Sequence, residues 1–246
     1  MKKIILHIGK HKTGTTSFQL FLRKSRQALE RQGFYPMPHG LGGRLAAVSI
    51  RDKMPIPPLL DMQANGIRTP EEVTADVNAF LKDKAIDTLL ITSEHFSYFR
   101  TSQEIQQLRA CLPQGPEFQI YLVVRDLEEY RVSYREHVKT TGHGPSDDPA
   151  SPYYSGKDSW LLDDQALIDC WQAEFENVHI INYSKEGMIK KLGEAMELPS
   201  DILSQEYRLN TNSPRLKAFK SFFRKSIKTT ALGRKGLKLF RRFKWG

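Results

Sequence analysis

What most constrains the fold of this chain is its opening. An apolar run, KKIILHIG at residues 2 to 9, leads into the loop HIGKHKTGTTS at 7 to 17, and TSFQLFLRKSRQALERQG follows at 16 to 33. The run reads as a short buried strand. Phe18, Leu22 and Leu29 fall on one helical face, and Gly33 is a fitting helix stop. A helix start exposes N–H groups that have no intrahelical partner. With the helix dipole they attract anionic oxygens. Strand, glycine loop and helix in that order predict an α/β domain with an anion site at the strand's end.

The same alternation continues along the chain. TPEEVTADVNAFLKDKA reads as a helix with a capping box at Thr69 and Glu72 and Pro70 at its first position. DTLLITSEHF reads as a second strand, and TSQEIQQLRACL as a helix capped by Thr101 and Glu104. EFQIYLVVRD is a third strand, followed by the helix LEEYRVSYREHVKTTG, which closes at Gly142. WLLDDQALIDCWQAEF is a helix, NVHIINYS a fourth strand and KEGMIKKLGEAMEL a further helix. Residues 36 to 66 read as loop with short helical pieces, and 142 to 158 as a polar loop. Strands alternating with helices predict a three-layer fold with a central, mainly parallel sheet.

Charge divides the chain in two. Residues 215 to 246 hold twelve of the 37 Lys and Arg and no Asp or Glu, so the net charge of +9 belongs to the tail and the first 214 residues are mildly acidic. The expected organisation is therefore one α/β domain over 1–214 and a basic amphipathic tail over 215–246. A nucleic-acid role inferred from overall charge alone is excluded by that asymmetry. Two cysteines, Cys111 and Cys170, form no disulfide or metal pattern. The opening run is too short for a signal peptide and His7 interrupts it. A cytoplasmic location is expected, on this reading.

The loop is close to a Walker A pattern but departs from it. Gly9 and Gly14 have the G-x-x-x-x-G spacing, Thr15 stands where the lysine belongs, and the lysine is at Lys12. Backbone N–H groups, the hydroxyls of Thr13, Thr15, Thr16 and Ser17, and the Lys12 amine make a nest for phosphate oxygens. Taken alone, the pattern also suits a Gly/Thr turn that only starts a helix. In YLVVRDLEEYRVSYREHV, Arg125 ends a strand at the sheet edge where open α/β sheets bind ligands. A guanidinium there suits bidentate phosphate contact, or a strand-end ion pair with Asp126 or Glu128. Ser133 lies two turns into the next helix. Glu94 and His95, at the end of the middle strand, are candidates for proton transfer. Neighbours on an extended segment point to opposite sides, so only one is expected to face the site. His7, His11 and His137 read as structural or surface residues.

HIGKHKTGTTS resembles the 5′-phosphosulfate loop of sulfotransferases that use 3′-phosphoadenosine 5′-phosphosulfate (PAPS), nearest to the bacterial and carbohydrate branches. The segment carrying Arg125 and Ser133 is similar to that family's 3′-phosphate element. The resemblance covers 4–33, 89–96 and 119–138. It implies PAPS as co-substrate, adenosine 3′,5′-bisphosphate as product and no metal. It implies that Lys12 stabilises the departing phosphate. Thr13, Gly14, Thr15, Thr16 and Ser17 would hold the 5′ end, Arg125 and Ser133 the 3′-phosphate, and Glu94, or else His95, would act as base. The acceptor it implies is a hydroxyl or amine, carbohydrate above all. Tyr183, Asn210 and Ser213 resemble weaker late elements and take no assigned role. The chain lacks the R-K-G-x-x-G-D-W-K-N segment of the cytosolic small-molecule branch, of which GRKGLKLF at 233–240 matches only part. Two other readings stand beside it: a P-loop small-molecule kinase, and a non-enzymatic polyanion- or membrane-binding protein acting through the tail. In that tail Leu216, Phe219, Phe223 and Ile227 recur at helical spacing among basic residues. The pattern suits an anionic membrane surface at the inner face, an acidic glycan, or packing on the chain's own core.

Overall fold

A computed structural model of the protein describes residues 1–51, 54, 69–82, 84–140 and 145–204. The tail, Asn210, Ser213, the boundary at 214, Gly142 and most of 50–66 lie outside the described residues. The described body belongs to one compact unit, Met1–Leu203.

Five strands make the sheet: β1 (Lys3–Gly9), β2 (Phe34–Pro36), β3 (Thr88–Ser93), β4 (Glu117–Val124) and β5 (Val178–Asn182). Their order is β2-β3-β1-β4-β5 and every pairing is parallel. Around them run α1 (Thr15–Lys24), α2 (Arg26–Arg31), α3 (His39–Ser49), α4 (Pro70–Leu81), α5 (Ser102–Ala110), α6 (Leu127–Thr140), α7 (Asp164–Gln172) and α8 (Met188–Ala195). The period-2 alternation of a strand explains the two layers of core. Ile4, Leu6 and Ile8 of β1 join Ile120 and Leu122 of β4 in one apolar cluster; Ile5, Tyr121 and Val123 enter another on the opposite face. Sheet strands this apolar on both faces need helices over each. The result is the expected three-layer α/β fold, with a phosphate-loop-like unit from β1 through the loop to α1.

Topology positions the site. β1 is central, with β3 on one side and β4 on the other. In register, Ile8 lies opposite Ser93 and Gly9 opposite Val123. The loop after β1, Glu94 after β3 and Arg125 after β4 therefore emerge together at the C-terminal edge. That edge, where the connections diverge, is where open α/β sheets form a crevice.

Both capping boxes are present. Glu72 N–H donates to Thr69 Oγ1 (3.3 Å) and Thr69 N–H to Glu72 Oε2 (2.9 Å); Thr101 and Glu104 do the same at 3.3 and 3.0 Å. Several expectations need correction. The helix read through 16–33 breaks at Ser25 into α1 and α2; Gly33, the expected stop, does follow the C-cap Gln32, at φ 83°, and donates its N–H to the Glu30 carbonyl at 3.1 Å. Over 36 to 66, expected as loop with short helical pieces, the eleven-residue α3 is longer than such a piece, and the three-residue strand β2 just before it was not expected. β2 is too short to show a period, and α3 carries three glycines that hide its helical preference. The helix read through 160–175 is a 3-10 turn, Trp160–Leu162, then α7, with Asp163 accepting from Ala166 N–H at the junction.

Candidate functional site

The loop is built by glycine and by one strained residue. A methyl group on Gly9 would sit 1.9 Å from Thr15 Oγ1, so only glycine lets β1 end this close to the start of α1. Gly14 precedes that helix at φ 86°, a left-handed conformation glycine adopts freely. Lys12 has φ 67° without that freedom, and such a residue costs about 1–3 kcal/mol unless its surroundings hold it. Its neighbours do. Thr13 spends both its N–H (3.3 Å) and its hydroxyl (2.6 Å) on the Lys10 carbonyl, and Arg125 Nη1 donates to the Lys12 carbonyl at 3.1 Å. Lys10 is itself buried, paired with Asp164 on α7 and lying 3.9 Å from the Tyr130 ring centroid. Of the loop's two lysines, one is an internal anchor and Lys12 is exposed at the site.

A cavity of about 400 Å³ opens at this edge, within the roughly 300–1,000 Å³ of ligand pockets. It is lined by Lys12, Gly14, Thr15 and Thr16 of the loop and α1, by Arg125 and Ser133, by Glu94 and His11, and by Tyr183. The N–H groups of Thr15 and Thr16, in the first turn of α1, have no helical acceptor. The expected Thr13 and Ser17 are not among the lining residues. Thr13 is turned into the loop, as above, and Ser17 has moved on around the helix.

Arg125 pairs with Glu129, not with Asp126 or Glu128. Its Nε and Nη2 donate to Glu129 Oε2 at 3.3 and 3.0 Å, and its face lies 4.7 Å from the Tyr183 ring. Arg125 lies just ahead of α6 and Glu129 in its first turn, four positions on, while Glu128 is taken by Arg131.

Glu94 and His95 are not on an extended strand. They open a 3-10 turn, Glu94–Tyr98, with Ser93 Oγ accepting from His95 N–H. Glu94 lines the cavity, while His95 is buried with its ring centroid 5.9 Å from that of His11. Gln19 Nε2 donates to Glu94 Oε2 at 3.0 Å. Burial pushes the Glu94 carboxyl up, but His95, His11, backbone hydrogen bonding and Gln19 outweigh it, and the group is held below the usual carboxylate range. Burial likewise pushes His11 down, to about 3, against the pull of Glu94.

His11, read from the sequence as a structural or surface residue, also borders the cavity. Its Nε2 is bonded to Tyr98 Oη at 2.7 Å, it stacks on His137 at 5.0 Å, and it lines the cavity. No spacing rule marks it. Tyr183 was more legible, because it follows β5 as Arg125 follows β4. His7 is buried, bonded to Thr92 Oγ1 at 2.8 Å and pushed down to about 3 by burial, as a core histidine would be. Among the described residues no group of His, Cys, Asp and Glu is arranged to hold a metal ion, and no helix is long and apolar enough to cross a membrane.

The Gly9 packing makes a sharp expectation. Gly9→Ala forces a shift in Thr15 and costs about 1–3 kcal/mol, the usual overpacking range. It also removes any stabilisation by phosphate ligands. Melting curves with and without ligand check this, and an unchanged ligand shift would disprove the packing argument.

No protein-family model matches the chain, and no curated protein matches it significantly. Among solved structures it is similar to the Deinococcus radiodurans tunicamycin resistance protein, with 11% identity, 81% of this chain and 98% of that one covered, and a TM-score of 0.44. A Candida albicans thymidylate kinase gives 13%, 80%, 91% and 0.39 in the same order, and a Bacteroides thetaiotaomicron shikimate kinase 14%, 80%, 99% and 0.34. Likenesses this distant carry no argument about what the chain binds.

Proposed function

We propose that this chain transfers a sulfuryl group from PAPS to a hydroxyl or amine, with a carbohydrate as the acceptor class. One observation carries the reading. Two segments more than a hundred residues apart, the loop with Lys12 and the β4–α6 junction with Arg125 and Ser133, line one cavity. That supports a ligand with anionic groups at two ends. The donor set fits: a lysine amine, two helix N-terminal N–H groups, a guanidinium and a hydroxyl all favour phosphate oxygens.

The donor supplies the sulfuryl group and a phosphate that departs. Glu94, ionised and facing the cavity, takes the acceptor's proton as the acceptor oxygen or nitrogen bonds to sulfur. The bond from sulfur to the bridging oxygen breaks, and its electron pair stays on the 5′-phosphate. Lys12 and the start of α1 bind that growing charge. Arg125 and Ser133 hold the 3′-phosphate and so fix the reacting end against the loop. Lys12, already held in its left-handed conformation, needs no rearrangement to do so.

The rival is phosphoryl transfer from a nucleoside triphosphate, the class of reaction that the word kinase names in the similar structures. Two features favour the sulfuryl reading. Thr15 occupies the Walker lysine position, and Lys10, the loop's other lysine, is committed to Asp164.

Thermal denaturation separates them. Adenosine 3′,5′-bisphosphate is expected to raise the melting temperature well above the shift given by ADP at equal concentration, since a native-state ligand stabilises by mass action. Arg125→Ala should erase most of the difference. Equal shifts, together with label transfer from ATP and none from PAPS, would establish the kinase instead.

A further inference from the structure

We infer that Glu129 is a specificity-determining residue, an internal carboxylate that holds the Arg125 fork and yields it only to a phosphate. The inference rests on the proposed 3′-phosphate site and adds how that site selects its ligand.

All three nitrogens of the guanidinium donate to a partner. Nε and Nη2 both donate to Glu129 Oε2, Nη1 donates to the Lys12 carbonyl, and the face stacks on Tyr183. The two partners differ in freedom. The Arg125 side chain is 18% exposed, whereas that of Glu129 is 64% exposed. Glu129's backbone is tied down, since its N–H donates to Asp126 Oδ1 at 3.0 Å. Its side chain alone can swing outward into solvent. The cation is fixed and the anion is movable.

An ion pair with so exposed a partner is weak and screened by salt. A phosphate monoester brings nearly two negative charges and three acceptor oxygens. It out-competes a carboxylate that offers one oxygen to both nitrogens. A 3′-hydroxyl brings no charge and gains nothing by displacing Glu129. Nucleotides without a 3′-phosphate thus meet an arginine that is already neutralised. The Nη1 bond to the Lys12 carbonyl lies on the other side of the fork, so exchange of Glu129 for phosphate leaves the loop's support in place.

The test is calorimetric titration of the whole chain with adenosine 3′,5′-bisphosphate and with adenosine 5′-phosphate. Glu129→Gln keeps the side chain's size and removes its charge. The bisphosphate affinity is expected to rise about two- to fivefold, the scale of one weak surface pair, while that of the 5′-phosphate stays unchanged. Inorganic phosphate should also compete with the bisphosphate more effectively in the variant. An equal rise for both nucleotides would mean only a change in net charge and would overturn the inference. A fall in bisphosphate affinity would overturn it too, making Glu129 a support that orients Arg125. The underlying reading fails differently. In that case the unaltered chain binds the two nucleotides equally, and Arg125→Ala affects neither. Folding is monitored by the melting temperature of each variant, and a surface charge change of this kind leaves it nearly constant.

Discussion

Glu94→Gln lowers the rate of sulfuryl transfer roughly 10²–10⁴-fold, the range lost with a general base, and leaves binding of adenosine 3′,5′-bisphosphate nearly intact. The change keeps the shape of the side chain, and its remaining carbonyl can still accept from Gln19 Nε2, 3.0 Å from Oε2 in the native chain. Because its partners outweigh burial and favour the ionised carboxyl, losing the charge is expected to cost some stability, so the melting temperature of the variant is measured beside its rate. A loss of rate in a variant that is still folded at the assay temperature reports chemistry and not collapse. The phosphate-binding side is separate, made by the loop and by Arg125 and Ser133. Single-turnover rates with PAPS and titrations with the bisphosphate measure the two effects independently. Near-normal turnover would move the base elsewhere, to His11 or His95, whose rings flank the same turn.

Asp164→Ala destabilises the protein by about 3–5 kcal/mol, the cost of leaving one member of a buried ion pair alone. Lys10 has a side chain only 2% exposed, and Asp164, at 24%, is its carboxylate partner. Burial already pushes the Lys10 amine below its ordinary range and Asp164 acts to restore it. Without Asp164 the amine must lose its proton or drag water inward. Because the Lys10 carbonyl also receives Thr13, the loop loosens with it. Replacing both partners with apolar residues of similar size, Lys10→Met with Asp164→Leu, should recover most of the loss. Urea unfolding checks both variants. A loss under about 1 kcal/mol, the surface-pair scale, would show that the pair is solvated.

Much of the architecture was legible because it follows from local rules. Residues 3–9 are apolar on both faces, which only a central strand tolerates, and both capping boxes stand at the helix starts they predict. The glycine spacing and the end positions of β3 and β4 are enough to bring Gly14, Glu94 and Arg125 to one sheet edge. Other features carried no local mark. The break at Ser25 leaves the helical period of its surroundings almost unchanged, and β2 exists through its pairing with β3.

The sequence by itself determined the α/β alternation, the phosphate-loop-like unit and the set of cationic and carboxylate groups available for chemistry. These depend on residue type and short-range spacing, which a single chain displays in full. The tertiary structure decided what each group faces. It sent Lys10 inward to Asp164, 154 positions away, and left Lys12 at the cavity. It turned Thr13 away, brought His11 against Tyr98, 87 positions on, and gave the Arg125 fork to Glu129 rather than to Asp126 or Glu128. Each outcome is a competition among partners for one donor or acceptor, settled by packing between elements distant in the chain or by the turn of a helix. Residue identity and spacing cannot state the result of that competition.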